Sequence, residues 1–121
     1  MAHTIQYNDD LQLIVQAVNG VYSTEDAKQM GQQYNILLEG KPYRQIIVDL
    51  RNAGKMESRE TRSATNQLLN DAQISDIVFV GATAAQRMIA KVLMKLGSLQ
   101  AESNFVKDMD EAVKWIEKRR K

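Results

Sequence analysis

Cysteine is absent from the 121-residue sequence, and histidine and proline each occur once. The absence of cysteine excludes disulfide bonds, thiolate metal ligands and cysteine nucleophiles, and it is typical of proteins from reducing compartments. The single histidine, His3, has no partners at the spacing of a metal site or a catalytic triad. It lies in a terminal segment that we expect to be mobile. We therefore predict that the protein is not an enzyme and that it has no metal and no cofactor.

The sequence also lacks an excess of charge and any long apolar run. Its formal net charge is +1, whereas a nucleic-acid partner would need a concentrated basic face. We expect the one basic run, 118–121, to be a solvated helix end that complements the helix dipole, with a weak anion or membrane-surface contact as the alternative. No apolar run approaches the roughly 20 residues that cross a bilayer, and no signal peptide is recognisable. We expect a cytoplasmic protein with no nucleic-acid binding and no membrane insertion.

Strand and helix patterns alternate along what we predict to be a single domain, residues 1–121. Alternating apolar residues over 5–17, interrupted by polar residues at 8–10, predict a β-hairpin. Runs that are apolar on both faces, at 46–50 and 77–80, predict central strands with helices on both sides, and 101–105 predicts an edge strand. We expect 51–57 to be a loop. The order β-β-α-β-α-β-α-β-α predicts an α/β fold with a mixed, mostly parallel sheet packed with helices.

Helix starts carry the clearest local signals. Residue pairs three apart form capping boxes at Ser23–Asp26, Thr83–Gln86 and Asp108–Glu111. The second helix has no such pair, and we expect its buried face to carry Ala64, Leu68 and Ala72, flanked by Thr61, Thr65 and Leu69.

Four residues at or just after the ends of buried strands are candidates for binding, because α/β sheets place their sites there. Asp49 ends a buried strand as an unpaired carboxylate, which is more often structural than functional, and Arg51 follows it. The turn from Gly81 to Thr83 joins a buried strand to a helix, so its amides are candidates for anion contact. Capping by Thr83 is the plainer interpretation, because the turn lacks the glycines and lysine of nucleotide-binding loops.

Ser58 precedes the second helix and has two interpretations. Its hydroxyl is either a helix cap or an exposed acceptor of a phosphoryl group. Lys55, Arg59 and Arg62 are near enough in sequence to pair with an added phosphate, and Glu57 adjoins the serine.

Aliphatic residues cover more of the third helix than one contact with a sheet requires. They are Met88, Ile89, Val92, Leu93 and Leu96. We expect most of them to lie in the core, but a homodimer surface or the wall of an apolar pocket stays open as an alternative.

Segments spread over most of the chain resemble the STAS-type fold of anti-sigma-factor antagonists, in its SpoIIAA-like branch. The best-matching segments are 20–26, 47–51, 77–82 and the closing stretch 104–116, whose pattern Phe-x₅-Glu-Ala-x₂-Trp resembles the family's ending. The resemblance implies a STAS-like β-β-α-β-α-β-α-β-α domain over residues 1–121.

The resemblance also implies a regulatory role. STAS-type domains are switched when a kinase phosphorylates a serine at the start of the second helix, which blocks docking to an anti-sigma factor. Ser58 falls at the matching place, but the family pattern Asp-Ser-Ser/Thr-Gly is replaced by Glu57-Ser58-Arg59-Glu60. We therefore expect a non-enzymatic protein-interaction module, with a kinase or an anti-sigma-like factor as partner. The alternative is a carrier or sensor of a small apolar or anionic ligand, because the fold is also similar to the lipid-carrying CRAL-TRIO domains.

Overall fold

The computed structural model describes residues 3–56, 59–95 and 99–121. The elements run in the order β1 (Thr4–Asn8), β2 (Leu13–Ala17), β3 (Gly20–Tyr22), α1 (Thr24–Leu38), β4 (Gln45–Asp49), β5 (Ala53–Met56), α2 (Arg59–Asp71), β6 (Asp76–Val80), α3 (Ala84–Lys95), β7 (Glu102–Val106) and α4 (Met109–Arg119).

The main sheet has five strands in the order β1-β2-β4-β6-β7. Strands β1 and β2 form the predicted antiparallel hairpin, and every other pair in this sheet is parallel. Strand β7 lies at the edge, as predicted, and the buried strands β4 and β6 lie next to each other in the interior of the sheet. The predicted α/β fold with a mixed, mostly parallel sheet is confirmed.

The predicted helix caps form, with one difference in detail. Ser23 caps α1 in a reciprocal box with Asp26, and Thr83 and Gln86 exchange the same pair of bonds at α3. Asp108 accepts from the amide of Glu111, but the Glu111 carboxylate accepts from the amide of Lys107 instead of Asp108. Each box satisfies amides that a helix start would otherwise leave unpaired.

The core has one cluster on each face of the sheet. Helices α1 and α2 cover one face, where Met30, Tyr34 and Leu69 pack against residues of β2, β4 and β6. Helix α4 covers the other face with Ala112 and Ile116. On the first face the Tyr34 hydroxyl donates to Gln16 Oε1 at 2.9 Å, so the buried glutamine has a partner.

A second, two-stranded sheet is the main departure from the sequence-based prediction. Strands β3 and β5 pair in parallel, although 51–57 was expected to be a loop. Both strands are too short to show an apolar pattern, which explains why they escaped notice. Gly54 makes the pairing close, because a Cβ at this position would lie 2.9 Å from the carbonyl carbon of Gly20. We call this pair of strands the β3–β5 ribbon.

The buried face of α2 differs in part from the predicted one. Ala72 is buried as predicted, and Thr61 and Leu69, expected at the flanks, are buried too, whereas Ala64 and Leu68 are half-buried. The buried face differs because α2 packs against two surfaces, helix α1 and the sheet. The hydroxyl oxygens of Thr24 and Thr61 are 2.7 Å apart. On α1, Gly31 leaves room for the Leu68 side chain of α2.

Lys118 and Lys121 of the basic run at the chain end are exposed, as expected of a solvated helix end, but the two arginines between them bind the protein. Arg119 Nε donates to Asp76 Oδ1 at 2.7 Å, and Arg120 Nε donates to Gln45 Oε1 at 2.6 Å. The Arg120 guanidinium also lies 3.9 Å from the centre of the Tyr43 ring. The reason is that the last turn of α4 lies beside the first residues of β4 and β6, where Gln45 and Asp76 pair in register.

Candidate functional site

The carboxyl ends of the parallel strands bring several predicted site residues together. Asp49, the last residue of β4, is in register with Val80, the last residue of β6. The amide of Leu50 donates to Val80 O at 2.8 Å, and that of Gly81 donates to Val106 O at 3.0 Å. Gly81 therefore shares one end of the sheet with Asp49 and Arg51, which lie in a different part of the sequence.

Asp49 is paired, so the prediction of an unpaired carboxylate was wrong. Arg51 Nε donates to Asp49 Oδ1 at 3.0 Å and Nη2 donates to Oδ2 at 2.7 Å, while the Arg51 amide also donates to Oδ1. These hydrogen bonds from Arg51 hold the pKa of Asp49 below its usual range. The chain turns sharply after β4 and folds the arginine back onto the carboxylate two residues earlier. The pair leaves the Arg51 side chain 55% exposed.

Gly81 leaves space for the Arg51 side chain. Its φ of +73° lies in the left-handed region, which glycine adopts without strain. A Cβ at this position would collide with Cγ of Arg51, so the missing side chain provides the space that Arg51 occupies. The amides of Gly81 and Thr83 already donate to Val106 O and Gln86 Oε1. The anion contact expected of these two amides would therefore require breaking existing bonds.

The β3–β5 ribbon also lies at the carboxyl end of the main sheet. Val21, in β3, is 58% exposed. Gln86 Nε2, from the cap of α3, lies 3.5 Å from the carbonyl oxygens of Ala53 and Gly54 in β5. Ribbon, cap and strand ends are thus in contact with one another.

His3 secures the ribbon and is the residue that the sequence analysis misjudged most. It is 8% exposed and accepts a hydrogen bond at Nδ1 from the Asn19 amide. Its Nε2 therefore carries the proton, and it lies 3.0 Å from Val21 O and 3.1 Å from Asp26 Oδ2. The expectation of a mobile histidine was wrong, because its partners lie 16 to 23 residues away in sequence. No local pattern signals such contacts.

Asp26 joins this histidine to the start of α1. The Ser23 amide donates to Asp26 Oδ2 at 2.9 Å. That hydrogen bond is the main reason why the pKa of Asp26 lies below its usual range, and His3 adds to the effect. The ribbon and the first turn of α1 are therefore held by one set of polar contacts.

Several predicted residues lie wholly or partly outside the described part of the chain. Glu57, Ser58 and Leu96 lie outside the described residues. So do the side chains of Lys55, Ile89, Val92 and Leu93, whose backbones belong to β5 and α3. Arg59 is exposed at the first residue of α2. Met88 is 68% exposed, so it lies outside the core and on the surface of α3.

Two features of the described residues bear on function. Within residues 3–56, 59–95 and 99–121, no three histidine or acidic side chains lie close enough together to hold a metal ion. The helices in this part of the chain are too short or too polar to cross a bilayer.

Comparisons with known proteins identify the fold. No protein-family model and no curated protein matches the sequence. An uncharacterised protein of the DUF3478 family with a SpoIIAA-like fold, from Shewanella loihica PV-4, is similar over 94% of this chain and 91% of its own, with a TM-score of 0.68 and 18% identity. The anti-sigma-factor antagonist SpoIIAA in its unphosphorylated form is similar over 98% of both chains, with a TM-score of 0.64 and 11% identity. The chain therefore has a SpoIIAA-like fold.

Proposed function

We propose that this protein is a non-enzymatic regulatory module that binds a partner protein with the carboxyl end of its sheet. The contact region, called here the carboxyl-end surface, consists of the exposed residues Val21, Arg51, Asn52, Arg59 and Thr83. The observation that carries the proposal is the likeness of the fold to an anti-sigma-factor antagonist over 98% of both chains. A kinase or an anti-sigma-like factor is the proposed partner.

The chemistry of this surface suits protein binding. Arginine is enriched among the residues that dominate binding energies, particularly where its geometry is fixed in advance. Asp49 fixes the Arg51 guanidinium through two hydrogen bonds while more than half of the side chain stays accessible. Val21 adds an exposed aliphatic group on a ribbon that His3 holds in place. The surface thus presents a cation held by two hydrogen bonds and, on the ribbon, an exposed apolar group.

A regulatory phosphate would act on the same surface. We propose that Ser58 accepts it, as the family resemblance implies. Arg59 is exposed next to this serine in sequence, and the start of a helix favours negative charge. Phosphorylation would change the charge of the carboxyl-end surface and so weaken docking of the partner.

A binding experiment with matched variants tests the docking surface. Val21 and Ile36 are exposed to similar extents, 58% and 64%, but Ile36 lies in the second half of α1. Val21→Asp should abolish capture of the native-host partner that the wild type retains, whereas Ile36→Asp should not. Equal capture by both variants would refute the placement of the surface.

The phosphorylation proposal has its own test. Wild type and Ser58→Ala are compared on phosphate-affinity gels after expression in the native host under several growth conditions. A shifted band in the wild type that is missing in Ser58→Ala supports the switch. A wild type without any shift under all conditions argues against it and leaves the docking proposal standing.

Self-association through α3 is a separate proposal, based on the exposed Met88. Light scattering over a concentration series measures it. Met88→Lys should weaken a dimer. A wild type that stays monomeric at high concentration would refute the proposed dimer surface.

A further inference from the structure

Two buried donors on α2 have no hydrogen-bond partner. Nε of Arg62 and Nδ2 of Asn66 are both hidden from solvent and unpaired in the described part of the chain. Asn66 as a whole is 8% exposed. Buried polar atoms without partners are rare in folded proteins, because each one loses its bonds to water without replacement.

The two donors belong to one face of the helix. Arg62 and Asn66 are four residues apart, so their side chains are neighbours on successive turns of α2. Asn70 continues the row by another turn, and its Oδ1 accepts from the amide of Gln100 at 2.9 Å. The row therefore faces the segment that leads into β7.

The opposite side of α2 faces α1, through Thr61 and Leu68. Between the two sides, Leu69 packs into the core cluster on the sheet. The row of Arg62 and Asn66 is therefore on the side of α2 that is turned away from α1. On β6 and β7, the rings of Phe79 and Phe105 stack with their centres 5.0 Å apart, and both are half-buried.

We propose that Arg62 and Asn66 form a binding site for the oxyanion of a small molecule, a carboxylate or a phosphate group. A guanidinium and an amide donor one turn apart provide the charge and two N–H groups that an oxyanion accepts. Among the described residues, no acidic side chain lies within ion-pair distance of Arg62. This site begins one helical turn after Arg59 of the carboxyl-end surface, but it does not depend on the proposed docking function.

Nuclear magnetic resonance detects these donors directly. The Nε–H signal of Arg62 and the side-chain amide signals of Asn66 are followed during titration with inorganic phosphate, acetate or benzoate at constant ionic strength. We expect saturable shifts of both residues with at least one of these ions. A preference for phosphate identifies a phosphoryl ligand, and a preference for benzoate over acetate indicates a carboxylate attached to an apolar group.

Three variants separate a specific site from general attraction of anions. Arg62→Gln should weaken binding at least about tenfold, as expected for the loss of a charged hydrogen bond. Asn66→Asp supplies a carboxylate beside Arg62, so it should abolish anion binding and raise the melting temperature. Arg87→Gln removes an exposed arginine on α3 and should leave the affinity unchanged.

Other results would overturn the proposal. One is the absence of saturable shifts with all three ions. Another is equal loss of affinity in Arg87→Gln and Arg62→Gln, which would mean that the ions respond only to net charge. A third is a direct bond from Arg62 Nε to Asn66 Oδ1 in the free protein, detected as a through-bond coupling, because a rotated amide would then satisfy the arginine without a ligand.

Discussion

Asp76 is the most informative residue to perturb in the amino-terminal half of the sheet. It begins β6 and is 5% exposed. It accepts hydrogen bonds from Gln45 Nε2 at 2.9 Å, Ser75 Oγ at 2.8 Å and Arg119 Nε at 2.7 Å. We predict that Asp76→Ala lowers the free energy of unfolding by about 2–3 kcal/mol.

The three partners contribute unequally to that loss. Gln45 is 2% exposed, so its amide would stay buried without an acceptor, which costs about 1–3 kcal/mol. The Arg119 side chain is 43% exposed and would be hydrated again, so its pairing contributes about 0.2–1 kcal/mol. Ser75 is exposed and would bond to water. Arg119→Ala should therefore cost no more than about 1 kcal/mol.

These contributions to the free energy of unfolding are measured by urea denaturation of wild type, Asp76→Ala, Arg119→Ala and the double variant. The reasoning is refuted if Asp76→Ala stays within about 0.5 kcal/mol of the wild type, as an ordinary surface substitution would. It is also refuted if the two single variants cost the same, because the buried glutamine would then contribute nothing.

The pH dependence gives an independent check. Burial pushes the pKa of Asp76 upward, but the hydrogen bonds from Gln45, Arg119 and Ser75 outweigh burial and leave the pKa below its usual value. The folded state therefore holds the ionised form more strongly than the unfolded chain, whose carboxylates titrate near about 4. The stabilisation is present above that pH and is lost as the pH falls through the folded-state pKa. The difference in stability between wild type and Asp76→Asn should shrink over the same range.

Three further substitutions test packing and hydrogen bonding, each by urea denaturation. Gly31→Ala should destabilise by about 1 kcal/mol, because the clash of a Cβ with Leu68 outweighs the gain in helix propensity; a stabilised variant would contradict this, and adding Leu68→Ala should recover part of the loss. Tyr34→Phe should cost about 1–2 kcal/mol, since Gln16 Oε1 loses its donor inside the core; an unchanged midpoint would show that water replaces the hydroxyl. Ser23→Ala should cost about 1 kcal/mol by removing the cap of α1, and no loss would mean that the cap is dispensable.

The features that the sequence predicted well depend on residues that lie close together in the chain. The partners of a capping box such as Ser23–Asp26 are three positions apart, and the hairpin and buried strands follow from local apolar patterns. The fold class followed from their order. The β3–β5 ribbon and the role of His3 could not be predicted, because both depend on contacts between distant segments. The Asp49–Arg51 pair is a short-range contact that was missed, because only the turn after β4 shows that the two side chains meet.

The two ends of the sheet differ in a way that supports the placement of the partner surface. At the amino-terminal end, Arg119 and Arg120 bind Asp76 and Gln45, so the charges of α4 are used to hold the fold together. At the carboxyl end, Arg51 is fixed by a residue of its own turn and stays largely exposed, with Val21 on the neighbouring ribbon. A partner that binds at the amino-terminal end would have to compete with bonds that stabilise the domain. A partner at the carboxyl end meets an ordered arginine whose fixed geometry lowers the entropic cost of binding, which agrees with the usual location of sites in α/β sheets.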